Sequence, residues 1–325
     1  MILAKRSSTA MSFETYDDLF EVVSEQYTAQ KYRETLDLLD AEGAKFPEHA
    51  SMIAYLRSCM AARIGLPEHA IQILSEAVAR GFWYGAETIR QTPSWISLQG
   101  DPEFERLAAV CFQRQLEAVK DPKMYILGPD ELGPYPLFFA LHGNGDNSMH
   151  TLYGWNNLID IDWILAAPQS AQAESSDGYV WNNQSAALRQ LVQQFADVSN
   201  EYQVDPDRIV LAGFSMGGET ALRLALIGPI EARGFVLLGP GGPTIDDPEE
   251  WLPEIREAKG RNLRGYILVG EHDRTIPHDQ IKRMVKLLND NGIPCELEII
   301  PGLRHAYPSN TLEYLQRAFN FIGVA

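Results

Sequence analysis

Three residues of types that act together in acyl transfer lie late in the chain: Ser215, Asp273 and His305. A serine hydroxyl needs a base before it can attack a carbonyl, and an imidazole meets that need. A carboxylate orients the imidazole and stabilises the imidazolium without itself taking a proton. Ser215 stands in Gly213-Phe214-Ser215-Met216-Gly217, after the apolar run Ile209-Val210-Leu211-Ala212 and before residues of helical period. Strand, tight turn and helix form the context in which G-x-S-x-G presents a nucleophile. Asp273 follows the run Tyr266–Val269, and His305 follows a run ending at Ile300, so each expected partner sits at a strand end. Glu271 is the competing acid, and Asp273 is the preferred one.

A fourth stretch, Leu141-His142-Gly143-Asn144-Gly145-Asp146-Asn147, comes straight after the run Pro136–Leu141. Its glycines allow backbone N–H groups to approach a developing oxyanion. The N–H of Met216, the residue after the nucleophile, is the expected second donor. Gly143, Tyr179 and Trp181 are the expected substrate contacts, with core filling as the alternative for the two aromatics. His142 reads as a packing residue of this loop. His272 beside Asp273 has no further ligand at metal spacing, so no metal or other cofactor is expected.

The elements that must position these groups follow from the texture of the chain. From Lys123 onward, buried-strand runs at Met124–Leu127, Pro136–Leu141, Trp163–Ala167, Ile209–Ala212, Phe235–Leu238, Tyr266–Val269 and Leu297–Ile300 alternate with helical stretches. The helical stretches are Ala186–Tyr202, Gly218–Leu226, Asp279–Asn291 and Thr311–Phe321. That alternation predicts an α/β class fold with a mostly parallel, doubly wound sheet whose sites lie at the carboxyl ends of the strands. Residues 241–263, with Asp246, Asp247, Glu249 and Glu250, read as an acidic lid or as a solvated loop and helix.

Residues 13 to about 118 read as all-helical, which divides the chain into a helical domain, 1–120, and a catalytic domain, 121–325. Residues 30–36 align with 66–71 at an offset of about 35, near the period of paired-helix repeats, and the block resembles two copies of a tetratricopeptide unit. Fewer than three repeats do not stand alone. The block is expected to brace the larger domain, with self-association or peptide binding as the alternative.

The motifs LHGNGDN (141–147), Ala167-Pro168-Gln169, Trp181-Asn182-Asn183, GFSMGG (213–218), GEHDRTIP (270–277) and Gly302-Leu303-Arg304-His305 resemble the α/β-hydrolase superfamily. Within it they are most similar to phospholipase/carboxylesterase and dienelactone-hydrolase-type esterases. The resemblance implies Ser215, Asp273 and His305 as the triad and the N–H of Asn144 as the other oxyanion donor. It implies a cofactor-free serine hydrolase of carboxylic esters, with thioester or peptide cleavage on the same fold as alternatives. A scaffold whose hydrolase part is inert is the reading from a different class. Met216 departs from the glutamine common in such esterases.

Composition narrows the partners. With 27 basic and 44 acidic residues the net charge is −17, which disfavours nucleic acid and anionic membrane surfaces. The opening MILAKRSSTA carries no apolar segment of the kind a secretory leader needs, and no apolar run is long enough to span a bilayer. Cys59, Cys111 and Cys295 are widely spaced and without a paired motif, so a reducing, cytoplasmic setting is expected.

Overall fold

The computed structural model describes residues 13, 15–118, 122–129 and 133–325. They form two compact units that divide between Gln115 and Leu116. The boundary expected at 120/121 and the opening MILAKRSSTA lie outside the described residues.

The N-terminal unit is helical, as its lack of β-branched runs predicts. It contains α1 (Tyr16–Thr28), α2 (Tyr32–Glu42), α3 (Ala50–Arg63), α4 (Pro67–Ala79), α5 (Ala86–Gln91) and α6 (Pro102–Ala118). Pro67 opens α4, where its missing N–H costs no helical hydrogen bond. Helices α2 and α4 begin 35 residues apart, the offset seen in the sequence. Helix α6 begins a further 35 residues on, at Pro102, but the segment between departs from the paired-helix pattern: the short α5 is followed by the 3-10 segment Pro93–Leu98, and α6 itself runs for 17 residues. Trp95, fully buried, packs edge-on against Tyr55, Tyr84 and Phe104. Its indole N–H donates to Ser58 Oγ at 3.0 Å, and that hydroxyl donates to the Ala70 carbonyl.

The C-terminal unit is built on a seven-stranded sheet. Its strands are β1 (Met124–Leu127), β2 (Tyr135–Leu141), β3 (Ile164–Pro168), β6 (Val204–Phe214), β7 (Gly234–Leu238), β8 (Arg264–Gly270) and β9 (Cys295–Ile300); β4 (Gln172–Ala173) and β5 (Tyr179–Val180) form a separate small hairpin. The order is β1-β3-β2-β6-β7-β8-β9, and only the edge strand β1 runs antiparallel. The helices are α7 (Ser148–Trp155), α8 (Gln184–Glu201), α9 (Met216–Ile227), α10 (Leu252–Glu257), α11 (His278–Asp290) and α12 (Thr311–Ile322).

Side-chain alternation splits the core between the two sheet faces. Phe139, Leu211, Leu237 and Ile267 point to one face, where they meet residues of α8, α9, α10 and α11. Phe138, Val210, Val236 and Leu268 point to the other, against Trp155 of α7 and Leu315 and Phe319 of α12. Strands buried on both faces explain the near-continuous apolar runs.

The structure corrects the lid expectation. Residues 241–263 form the crossover from β7 to β8, with Ile245, Trp251, Ile255, Ala258 and Leu263 buried in the core. The acids Asp246, Asp247, Glu249 and Glu250 occupy its solvent side, and Glu249 pairs with Arg283. The crossover is amphipathic, and burial of its apolar side holds it on the sheet.

Candidate active site

Parallel register brings the chemistry-bearing residues off one edge of the sheet. Leu141 pairs with Gly213, Phe214 with Leu238, Leu238 with Leu268, and Gly270 with Ile300. The residues that follow these strand ends are His142, Ser215, Gly239, Asp273 and His305.

Ser215 sits between β6 and α9 with φ 53° and ψ −124°. A non-glycine residue held there carries roughly 1–3 kcal/mol of backbone strain. Surrounding hydrogen bonds hold it. Its N–H donates to the Leu238 carbonyl at 3.0 Å, and its carbonyl accepts from Gly218 (2.8 Å) and Gly241 (3.1 Å). Two flanking glycines are required by close approach. A Cβ on Gly213 would lie 2.2 Å from the Gly217 carbonyl oxygen, and one on Gly217 would lie 2.4 Å from those of Leu141 and His142.

Asp273 is buried, and its carboxylate is held on both oxygens. Oδ1 accepts the N–H groups of Thr275 (2.9 Å) and Ile276 (3.1 Å), and Oδ2 lies 2.7 Å from His305 Nδ1. An ionised carboxylate can only accept, so Nδ1 donates and Nε2 is left as the acceptor of the neutral ring. The imidazole packs against the Phe214 ring at 4.6 Å, beside Ser215. Glu271, the competing acid, is exposed and instead accepts the Gly302 N–H at 2.9 Å.

The loop after β2 is held from beneath. His142 is fully buried; its Nδ1 donates to the Gly143 carbonyl at 2.8 Å, and its Nε2 accepts the Ser170 N–H at 3.2 Å. The ring stacks on Trp181 at 4.7 Å, and the indole N–H donates to the His142 carbonyl at 2.9 Å. Gly145 and Asp146 exchange backbone hydrogen bonds with Tyr179, which ties the loop to the β4–β5 hairpin. Gly143 lies over the nucleophile: a Cβ there would sit 3.2 Å from the Phe214 ring and 3.5 Å from Ser215 Cβ. Asn144 is exposed. Met216 is the first residue of α9, where helical geometry leaves the N–H without an intrahelical acceptor. Among the described hydrogen bonds, neither the Asn144 nor the Met216 N–H has a protein acceptor.

Trp181 has to be reassigned. It is fully buried and braces His142, so it offers no surface to a substrate. Tyr179 is half-buried, and its main chain holds the loop. Sequence reasoning also missed the support from Gln169 and Ser170. Ser170 Oγ donates to the Val180 carbonyl at 2.6 Å, while Gln169 Oε1 caps the Ser148 N–H. The available signal was a polar pair directly after the buried run Ile164–Pro168. Tyr307, which packs on Phe214 at 4.8 Å, was likewise missed. Among the described residues no group of His, Cys, Asp or Glu side chains is arranged to hold a metal ion.

Burial lowers the His142 imidazole to about 4 from its ordinary 6.5, against the opposing pull of the Gly143 carbonyl and Asp146. A base depressed in the folded state is neutral there, while the unfolded chain takes up a proton below 6.5. Stability should therefore fall as pH drops from about 6.5 toward 4, by about 3 kcal/mol from this residue. Denaturant midpoints of wild type and His142→Asn at pH 7 and 4.5 check this, with the variant showing the shallower pH dependence.

Comparison with known proteins agrees with this architecture. Residues 164–318 match the family model described as the dienelactone hydrolase family, and residues 15–119 match the A/B hydrolase-like N-terminal domain. The dienelactone hydrolase match lies within the C-terminal unit and supports a hydrolase of the esterase type. The chain is 22% identical over 199 residues to carboxylesterase SOBER1 of Arabidopsis thaliana, covering 54% of this chain and 86% of that protein. It is 30% identical over 112 residues to the bifunctional acetylxylan esterase/xylanase XynS20E of Neocallimastix patriciarum. That match takes in 33% of this chain and only 16% of the relative's length. Among solved structures, an uncharacterized protein from Bacillus cereus ATCC 10987 is 26% identical with a TM-score of 0.53. This match covers 95% of this chain and 98% of that one, so both units have counterparts there.

Proposed function

We propose that this protein is a serine carboxylesterase acting on esters of small to medium acyl groups. The observation that carries the reading is the buried Asp273–His305 hydrogen bond of 2.7 Å, with the imidazole packed on Phe214 next to the strained Ser215. In this reading His305 Nε2 takes the Ser215 proton as Oγ attacks the ester carbonyl. The N–H groups of Asn144 and Met216 stabilise the oxyanion, each worth roughly 3–4 kcal/mol in the transition state. The alkoxide leaves with the proton from His305, and an acyl-serine remains. His305 then deprotonates water, which releases the acid and restores the hydroxyl.

The carboxylesterase and acetylxylan esterase relatives support ester cleavage, and the latter supports a small acyl group. No helix among the described residues is long and apolar enough to cross a membrane. All three cysteines are free and buried, which supports a reducing, cytoplasmic setting.

The test is trapping with a fluorophosphonate, a serine-directed reagent, followed by peptide mass spectrometry, alongside hydrolysis of p-nitrophenyl esters from acetate to laurate. Modification confined to Ser215, with loss of ester hydrolysis in step, is expected, and the chain-length optimum reports the depth of the acyl site. Ester hydrolysis that persists after complete modification would overturn the assignment.

A further inference from the structure

A buried acid next to the nucleophile has no part in the mechanism above. Glu219 lies in the first turn of α9, four residues after Ser215, and is 2% exposed. Its Oε1 accepts the Thr244 hydroxyl at 2.6 Å. Its Oε2 is buried and has no hydrogen-bond partner among the described residues. Burial raises the carboxyl above its ordinary range, and the Thr244 hydrogen bond and the Arg223 charge draw it back. Arg223 also donates to Thr244 Oγ1 at 3.2 Å, lies over the Trp251 ring at 4.4 Å and pairs with Glu254. Trp251 Nε1 donates to the Thr244 carbonyl at 2.8 Å. Thr244 is therefore held by its hydroxyl and by its main chain, on a buried polar network centred beneath the 239–245 turn.

That turn touches the backbone of the nucleophile and the side chain of its base. Gly239 takes φ +48°, and a Cβ there would lie 3.1 Å from His305 Nδ1 and 3.2 Å from Asp273 Oδ2. Two residues on, the Gly241 N–H donates to the Ser215 carbonyl. Gly242 takes φ +148°, and a Cβ there would lie 1.8 Å from Glu219 Oε2. The turn is thus closed down onto the carboxylate so tightly that only glycine fits. An unpaired polar atom buried at such a point is costly to the fold. Its position against a loop that touches all three reacting groups gives it a use.

We propose that Glu219 is a positioning residue for the reaction: its carboxylate pins the 239–245 turn through Thr244, which keeps Gly239 against the His305–Asp273 pair and Gly241 on the backbone of Ser215. This rests on the serine-esterase reading. Glu219 touches no substrate, so its loss should act on the rate of attack and leave substrate binding nearly unchanged. Misplacement of reacting groups by about an ångström costs on the order of 100-fold in rate.

The experiment compares wild type with Glu219→Ala, Glu219→Gln and Thr244→Val, each assayed below its unfolding midpoint and normalised to folded protein. The readouts are kcat, KM and the rate of fluorophosphonate modification of Ser215. Glu219→Ala should lower kcat and the modification rate by about 10- to 100-fold with KM changed less than about threefold. Glu219→Gln, which can still pair with Thr244 through its amide, should stay within about threefold of wild type. Thr244→Val should show the same kcat-selective loss at smaller size, about 3- to 10-fold. A purely structural role would lower the folded fraction while the remaining molecules kept wild-type kcat and modification rate; that result overturns the proposal. If Glu219→Ala does not fold, wild-type kcat in Thr244→Val overturns it instead. A wild type whose Ser215 is not modified removes the esterase reading and this inference together. Normal modification in wild type and in both Glu219 variants removes this inference alone.

Discussion

Ser215→Ala should lower kcat for ester hydrolysis by about 10⁴- to 10⁶-fold, the range seen when a catalytic serine is removed from a working triad. The loss is this large because the acyl-enzyme route closes. Alanine has no oxygen to acylate, and His305 can only act on water held without the geometry of the attack. The residue at 215 must keep φ near +53°, in alanine as in serine, and Ser215 makes no side-chain capping bond that alanine would lose. The fold should therefore survive within about 0.5–1 kcal/mol, the ordinary range for a mild substitution. KM should change little, since in this reading the hydroxyl acts in the transition state and not in ground-state binding. Measuring kcat and KM on the best p-nitrophenyl ester, with a denaturant titration in parallel, checks all three statements. Activity within tenfold of wild type would remove Ser215 from the mechanism.

Asp273→Asn should lower kcat by about 10⁴-fold, and the reason lies in which end of the amide must face the imidazole. The Asp273 oxygen away from His305 accepts two backbone N–H groups, those of Thr275 and Ile276. Those donors demand an acceptor, so the asparagine oxygen is drawn to them and its NH₂ turns toward His305 Nδ1. A donor at that point makes Nδ1 the acceptor of the ring and moves the proton to Nε2, the wrong tautomer for a base. Geometry is preserved and basicity at the reacting nitrogen is lost. The rate should accordingly rise steeply with pH as hydroxide replaces the general base, which distinguishes this variant from a misfolded one. Glu271→Gln is the matched control. That side chain is exposed, accepts the Gly302 N–H and lies 3.9 Å from the exposed His272, so its kcat should stay within about twofold of wild type, as surface substitutions generally do.

Legibility of the site followed the kind of physics involved. Ser215, Asp273 and His305 were readable as candidates because each follows a buried apolar run, and parallel strands of like direction deliver their ends to one edge. Strand alternation does not separate Asp273 from Glu271, which are two residues apart; the structure sets Asp273 against His305 and Glu271 against the Gly302 N–H. Trp181 was not readable. A tryptophan near a catalytic loop suits either a pocket or a core, and its burial comes from stacking on His142, a contact between residues distant in sequence. The acidic run 246–250 misled for a related reason. Its charges are conspicuous, whereas the face that decides its place consists of spaced residues, Ile245, Trp251, Ile255 and Ala258, whose burial depends on α9 and the sheet.

The sequence by itself determined the alternation of strand and helix, the helical character of residues 15–118 and the candidate nucleophile with its acid and base. Each is written in local patterns: apolar runs, helical period and glycines around a serine. Only the tertiary structure decided that Trp181 stacks on His142 and holds its carbonyl, that 241–263 is a crossover and that Glu219 reaches Thr244. Those outcomes depend on burial and on hydrogen bonds between segments far apart in the chain, where neither residue type nor spacing reveals which partner a polar or aromatic group will meet.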